Sequence, residues 1–170
     1  MNKVLIVVDM QNDFVSGSLG SQDAAGIVEN VVQKVKQAVD EKTDIIFTRD
    51  THGEDYLNTQ EGRRLPVVHC IKNTKGWEII DELRPYVKNV IDKPTFGSME
   101  LASMVKERAY TDIEVIGLCT DICVVSNVMI LKAAVPEAVI TVDSKCCAGV
   151  TKESHQSALD TMKMCQAEII

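Results

Sequence analysis

Residues 112–123 read DIEVIGLCTDIC, a β-branched apolar run that ends in two cysteines four positions apart. The run DIEVIGL, 112–118, predicts a strand buried on both faces, because such strands carry few polar residues. An apolar, helix-like pattern follows it over 121–134. A strand leading directly into a helix is typical of layered α/β folds. At this point the two cysteines have four possible interpretations: a disulfide, half of a metal site, core filling, or a nucleophile on a turn.

The same alternation of strand and helix runs through the rest of the chain. Further strands are predicted at 3–9, 44–48, 89–92, 138–142 and 167–170, and further helices at 24–41, 97–109 and 151–164. We therefore expect an α/β fold: a three-layer sandwich with a mostly parallel, Rossmann-like sheet of about six strands. No linker or repeat divides the sequence, which predicts one domain over residues 1–170. The long polar segment 50–86 interrupts the rhythm and is expected to hold a short helix at 76–83.

Composition excludes several classes of function. The formal net charge is −7, and no basic run is present. This argues against nucleic acid as a partner, since phosphate binding depends on clustered Lys and Arg. No apolar run reaches the 18 residues of a membrane span, and the start of the chain does not resemble a secretory signal. We therefore expect no membrane partner, a cytoplasmic location, and cysteines that are mostly reduced and buried.

Polar and reactive side chains stand where the predicted strands end. Asp9 follows the first strand, and Asp50 and His52 follow the second. Lys93 follows the third strand, and Cys119 and Cys123 follow the fourth. In α/β sheets, ligands bind at the carboxyl ends of the strands, so we expect these side chains to share one edge.

Cys123 falls in the first turn of the helix predicted after residue 120. The positive end of the helix dipole is expected to favour its thiolate, which is the nucleophilic form. Asp9 can accept the thiol proton, and Lys93 can stabilise the resulting charges. Taken singly, each residue has a simpler interpretation: a capping Asp, a solvated Lys or an inert buried Cys. The convergence of all three on one edge favours a catalytic role.

The histidines predict a metal site. Asp50, His52 and the later His69 are residue types that bind transition metals, and the Asp-x-His spacing can place two ligands together. Exposed loop polar residues are the alternative interpretation. The third histidine, His155, lies at the start of the last predicted helix and is expected to be structural.

Three motifs carry a family resemblance. DMQNDF (9–14), KPTFGS (93–98) and GLCTDICV (117–124) resemble the isochorismatase-like cysteine hydrolases, most closely their nicotinamidase branch. The resemblance implies Asp9 as general base, Lys93 as its charged partner and Cys123 as nucleophile. It also implies a cis peptide before Cys119 and an oxyanion hole made by the amides of Cys119 and Cys123. The reaction implied is hydrolysis of a small amide through a thioester, foremost nicotinamide to nicotinate and ammonia.

The resemblance extends to the metal and the substrate pocket. It implies a divalent metal, commonly zinc, bound by Asp50, His52 and His69, with Glu61 at a plausible place for a fourth ligand. Phe14 is expected to form one apolar wall of the pocket. Leu65 stands roughly where nicotinamidases carry a tryptophan. Self-association into a homo-oligomer is also implied.

Three other functions stay open from sequence. The same site can act on another small amide, such as a carbamoyl or ureido compound. Cys119 and Cys123 can instead serve a redox or regulatory protein. The chain can also be a catalytically silent relative that only binds the ligand.

Overall fold

The computed structural model describes residues 2–170 and contains a six-stranded parallel sheet. The order across the sheet is β3-β2-β1-β4-β5-β6. This confirms the predicted α/β fold and the number of strands. The strands are β1 Lys3–Val8, β2 Asp44–Asp50, β3 Val90–Lys93, β4 Asp112–Leu118, β5 Val139–Ala148 and β6 Glu168–Ile169.

The central strand β1 is buried on both faces. Val4, Ile6 and Val8 belong to one hydrophobic core, and Leu5 and Val7 belong to the other. This split follows from the two-residue period of a strand, which sends alternate side chains to opposite faces. A continuous apolar run is therefore what a central parallel strand requires.

Helices cover both faces of the sheet and complete the three layers. Helix α3 contributes to the core on one face, and α5, α6 and α7 contribute to the core on the other. No helix among residues 2–170 is both long and apolar enough to cross a membrane. The helices are α1 Asn12–Val15, α2 Gln22–Gly26, α3 Val28–Asp40, α4 Gln60–Arg64, α5 Met99–Glu107, α6 Val125–Ala134 and α7 Lys152–Met164.

The predicted helix at 24–41 is two helices in the structure. Helix α2 begins earlier than predicted because the Ser21 side chain accepts a hydrogen bond from the Ala24 amide at 3.0 Å. The chain then breaks at Ile27, whose side chain is buried in the core, before α3 begins. The apolar period of the sequence continued across this break and gave no sign of it.

The predicted helix at 76–83 is wrong. This stretch runs as turns and short extended segments, and the nearest helical turn is a 3-10 turn at Arg84–Tyr86. The Ile80 amide donates to the Met10 carbonyl at 3.0 Å, and Ile79 forms an antiparallel bridge with Gln11. Pairing with a distant segment therefore replaces the local hydrogen bonds of a helix.

The sheet order creates a crevice between β1 and β4. Chain connections run outward in opposite directions from these two neighbours, so their loops diverge at the carboxyl edge. Such a switch point is the usual ligand site of an open α/β sheet. Asp9 follows β1 here, and Cys119 follows β4.

Candidate active site

Three predicted catalytic residues meet at this edge of the sheet. The Lys93 ammonium Nζ lies 2.6 Å from Asp9 Oδ2 and 3.4 Å from Cys123 Sγ. Nζ also donates to the Thr95 carbonyl at 3.1 Å. Asp9, Lys93 and Cys123 are 0%, 1% and 4% exposed, so their charges interact with little screening by water. The structure thus brings together residues that are far apart in the sequence.

The carboxylate of Asp9 has one satisfied and one available oxygen. Oδ1 accepts a hydrogen bond from the Thr48 hydroxyl at 2.6 Å. Oδ2 forms an ion pair with Lys93 and has no hydroxyl or amide donor of its own. Oδ2 therefore keeps the capacity to accept a proton.

The ionisation of Asp9 and that of Cys123 are linked, because both are buried and both lie beside Lys93. Burial raises the pKa of the Cys123 thiol well above its ordinary value, and the Asp9 carboxylate raises it further, against the opposing effect of Lys93. Burial likewise raises the pKa of Asp9, again opposed by Lys93. A carboxylate and a thiolate together would leave an extra buried negative charge, so the thiolate forms only when Asp9 takes the proton.

The helix start was expected to favour the Cys123 thiolate, and burial acts in the opposite direction. Desolvation of the fully buried sulfur outweighs the favourable position at the helix start. Lys93 remains charged: although burial lowers its pKa, the Asp9 carboxylate raises the pKa above the ordinary value. Lys93 is therefore the charged group that both Asp9 and Cys123 face.

A π-helical turn, Thr120–Val124, follows β4; Cys119 precedes it as the N-cap and Cys123 lies within it. The peptide bond between Leu118 and Cys119 is cis, as the resemblance implied. Both cysteines are free, as are the other four, so they form no disulfide. Burial raises the pKa of the Cys119 thiol to about 12.

The four predicted metal ligands form one group beside the triad. Their potential ligand atoms all lie within 4.8 Å of one another. Asp50 Oδ2 is 2.9 Å from His52 Nε2 and 3.5 Å from His69 Nε2. Glu61 Oε1 is 3.8 and 3.9 Å from the same two nitrogens. The sequence-based choice of ligands therefore agrees with the geometry.

The group has the chemistry of a divalent metal site. His69 Nδ1 is 2.8 Å from the Val67 carbonyl, which fixes the ring with Nε2 directed at Asp50 and Glu61. Such outer hydrogen bonds commonly orient metal-binding histidines. Burial raises the pKa of Glu61, and the nearby Asp50 carboxylate raises it further. A cation held among these ligands would relieve that repulsion.

Two residues of the DMQNDF motif position the metal group, although sequence reasoning gave them no role. The Gln11 side chain accepts from the Asp50 amide at 2.7 Å and donates to the Asp50 carbonyl at 2.9 Å. Asp13 Oδ2 accepts from the Cys70 amide at 2.7 Å, next to His69. Their polar character directly after an apolar strand was the available signal, but their partners lie more than 35 residues away.

A cavity of about 490 Å³ opens onto the triad and the metal group. Cys119 and Cys123 line it from one side, and Asp50 and His69 line it from another. The predicted wall residues Phe14 and Leu65 both line it as well. Sequence reasoning missed several other lining residues: Leu19, Phe96, Ile122, Gly149 and Val150.

A family model described as the isochorismatase domain matches residues 3–170. The chain belongs to the isochorismatase family. The nicotinamidase of Schizosaccharomyces pombe is 26% identical over 204 residues, covering 98% of this chain and 91% of that protein.

Solved structures of this family share the fold. The crystal structure of a Bacillus subtilis nicotinamidase matches with a TM-score of 0.87 and 27% identity, covering 99% of both chains. The crystal structure of a Pyrococcus horikoshii pyrazinamidase in complex with zinc matches with a TM-score of 0.84 and 24% identity. That match covers 100% of this chain and 99% of the other.

Proposed function

We propose that this chain is an amidohydrolase that converts nicotinamide to nicotinate and ammonia through a thioester on Cys123. The coarser assignment, hydrolysis of a carbon–nitrogen bond in an amide, rests on the family and on relatives named as nicotinamidases. The finer assignment rests on one observation: Lys93 Nζ bridges Asp9 and Cys123 beside a cavity sized for a small ligand.

In the first half of the reaction, one proton moves from Cys123 to Asp9 and then to the leaving nitrogen. Cys123 gives its proton to Asp9 as the sulfur attacks the amide carbonyl carbon. The amides of Cys119 and Cys123 donate to the oxyanion that forms. The carbon–nitrogen bond then breaks, the proton on Asp9 moves to the leaving nitrogen, and ammonia departs. A thioester on Cys123 and an ionised Asp9 remain.

The second half uses water. Asp9 accepts a proton from a water molecule, and the oxygen of that water attacks the thioester carbon. The carbon–sulfur bond breaks, the acid is released, and the proton on Asp9 returns to the sulfur. Lys93 keeps its charge throughout and lies within 3.4 Å of both partners, so negative charge on either Asp9 or Cys123 stays beside an ammonium.

Asp50, His52 and His69 would hold a divalent metal, with Glu61 as a fourth ligand. Zinc is the metal we propose, because this donor set suits it and the similar P. horikoshii pyrazinamidase was crystallised with zinc. When bound, the metal supplies a Lewis acid that orients a pyridine nitrogen or holds water molecules. Asp50 also contacts Lys93, with Oδ1 3.4 Å from Nζ, so this carboxylate links the metal group to the triad.

A second small amide, such as a carbamoyl or ureido compound, is the alternative substrate. One observation favours it: Leu65 offers no ring for stacking against a pyridine, and its side chain is 38% exposed. Phe14 and the half-exposed Phe96 are the aromatic residues that line the cavity. A redox function would leave Asp9 and Lys93, both placed beside Cys123, without a role.

Ammonia release across a panel of amides tests the proposal. The panel contains nicotinamide, pyrazinamide, a carbamoyl amide and a ureido compound, each with the parent chain and with Cys123→Ala. We expect release from nicotinamide by the parent and none by the variant, whose melting temperature should stay close to that of the parent. Cys165→Ala is the control, since Cys165 is exposed and distant from the cavity. Full activity in Cys123→Ala would refute the nucleophile, and faster turnover of a ureido compound would refute the substrate.

Three expectations stay predictions. They are the single domain over 1–170, a cytoplasmic location, and assembly into a homo-oligomer.

A further inference from the structure

The turn that carries the nucleophile is tied to the start of helix α7. Thr120 and Asp121 lie between the two amides proposed as the oxyanion hole, those of Cys119 and Cys123. Both residues contact the segment 150–155, which forms the first turn of α7 and its cap. The position of the two amides therefore depends on contacts outside the catalytic triad.

One tie is a hydrogen bond between Thr120 Oγ1 and His155 Nδ1, which are 2.8 Å apart. The Thr120 side chain is fully buried, so its hydroxyl has no access to solvent. A buried hydroxyl that loses its partner costs more than an average hydrogen bond contributes. Thr120 is therefore held firmly only while His155 is present.

The other tie is made by Asp121. Its carboxylate accepts from the Val150 amide at 3.0 Å and from the Ser154 hydroxyl. Ser154 in turn belongs to the capping box of α7, where Thr151 and Ser154 exchange hydrogen bonds. The helix cap and the nucleophile turn are thus one hydrogen-bonded unit.

Gly149 lets this unit approach the cavity. A Cβ at this position would lie 2.8 Å from His155 Cβ and 3.0 Å from its Cα, closer than such atoms pack. Gly149 lines the substrate cavity, whereas His155 does not. His155 therefore lies behind the cavity wall, next to the turn but out of contact with the substrate.

We propose that His155 is a positioning residue that sets the oxyanion-hole amides through Thr120. This inference rests on the proposed amidohydrolase function. Loss of His155 would let the Thr120–Val124 turn shift while the cavity lining stays in place. Because donors to the oxyanion act in the transition state, such a shift should lower kcat and leave KM nearly unchanged.

The test compares His155→Ala, His155→Asn and Thr120→Val with the parent chain, using nicotinamide. For His155→Ala we expect kcat to fall about tenfold with KM within about twofold, as for a weakened oxyanion contact. His155→Asn should recover most of kcat, because an amide oxygen or nitrogen can occupy the place of Nδ1. Binding of pyridine-3-carbaldehyde, which forms a tetrahedral adduct with a thiol, should weaken by a similar factor, while nicotinate binding stays the same.

A double variant shows whether the hydrogen bond is the route. His155→Ala combined with Thr120→Val should lose no more activity than either change alone, since both remove one interaction. The matched control is Gln156→Ala, whose side chain contacts Asp160 on the exposed side of the same helix. It should match the parent in kcat and in melting temperature.

The outcomes separate this inference from the proposed function. If the parent chain releases no ammonia from any amide, the proposed function fails. If the parent is active and His155→Ala keeps the parent kcat, the positioning role is wrong. Losses that multiply in the double variant, or an aldehyde affinity that does not change, also overturn it.

Discussion

Replacing Asp9 with Asn should make Cys123 ionise more readily and yet abolish turnover. In the parent site, burial raises the pKa of the Cys123 thiol and the Asp9 carboxylate raises it further. Asn keeps the shape of Asp but removes the charge. The thiolate would then still be favoured by the Lys93 ammonium and opposed by Asp50, without the repulsion from Asp9. The same change removes the group that takes and returns the proton. Ionisation and activity should therefore move in opposite directions.

The size of the effect follows from two distances. Lys93 Nζ is 2.6 Å from Asp9 Oδ2 and 3.4 Å from Cys123 Sγ, so oxygen and sulfur are at most about 6 Å apart. At an effective dielectric constant of about 20, two negative charges at that distance repel by roughly 3 kcal/mol. Removing the repulsion lowers the pKa of the Cys123 thiol and gives about a hundredfold more thiolate at any pH well below that pKa. Because a more acidic thiolate is less nucleophilic, alkylation should accelerate by only about tenfold.

The assay measures iodoacetamide labelling of Cys123 against pH by peptide mass spectrometry. Cys119 lines the same cavity and serves as the internal reference for access. In Asp9→Asn the labelling curve of Cys123 should move to lower pH, and ammonia release should fall by at least about a hundredfold, as expected for a lost general base. The curve for Cys119 should move much less, because burial and then Asp121 are the main causes of its raised pKa.

Asp92→Asn is the matched control. Asp92 precedes Lys93 in the chain, but its carboxylate pairs with Arg49 at 2.7 Å and is partly exposed. This variant should keep both the labelling curve and the activity of the parent. If Asp9→Asn left the Cys123 curve in place or moved it to higher pH, the linked ionisation of Asp9 and Cys123 would be refuted. Substantial ammonia release by that variant would refute the role of Asp9 as base.

Two further predictions concern the metal and the sheet. Verified removal of metal by a chelator should raise the KM for nicotinamide. The His69→Ala variant should raise it as well. An unchanged KM would contradict the metal role. Gly117→Ala should lower the free energy of unfolding by more than about 1 kcal/mol, because Gly117 has φ +117° and an added Cβ would lie 2.1 Å from the Val8 carbonyl oxygen. Urea unfolding measures this loss. Gly26→Ala in helix α2 is the control, because an added Cβ there would have no other atom within 4 Å. This variant should be neutral or stabilising. Equal losses of stability in the two variants would contradict the argument.

The sequence was most reliable for elements whose burial is visible in their local apolar pattern. β1 and β4 are continuous apolar runs, and a parallel sheet is the structure in which such runs are buried on both faces. β5 extends to Ala148, six residues beyond its predicted end. The polar stretch 143–145 interrupts the apolar pattern there, although Cys146, Cys147 and Ala148 after it are buried again. The stretch 76–83 failed because its partners, Met10 and Gln11, lie far away in sequence.

The site shows the same division. The triad and Asp50 were predictable because parallel strands end at one edge of the sheet and these residues follow strand ends. His69 and Glu61 follow no strand, and the histidine pattern and the family resemblance pointed to them instead. The role of Thr48 was not predictable, because its hydroxyl acts through a hydrogen bond to Asp9, 39 residues away. The effect of burial on the pKa of Cys123 was not predictable either, because it depends on the whole packed structure.

Asp50 connects the two halves of the site and explains why they occur together. Its Oδ1 lies 3.4 Å from Lys93 Nζ, and its Oδ2 lies 2.9 Å from His52. Asp9, Asp50 and Glu61 would bring three negative charges against the single ammonium of Lys93, an arrangement that burial makes costly. A divalent cation among neutral histidines would cancel the excess of two. Lys93 could then remain paired with Asp9 and Cys123, so the metal would support the nucleophile by charge balance without contacting it.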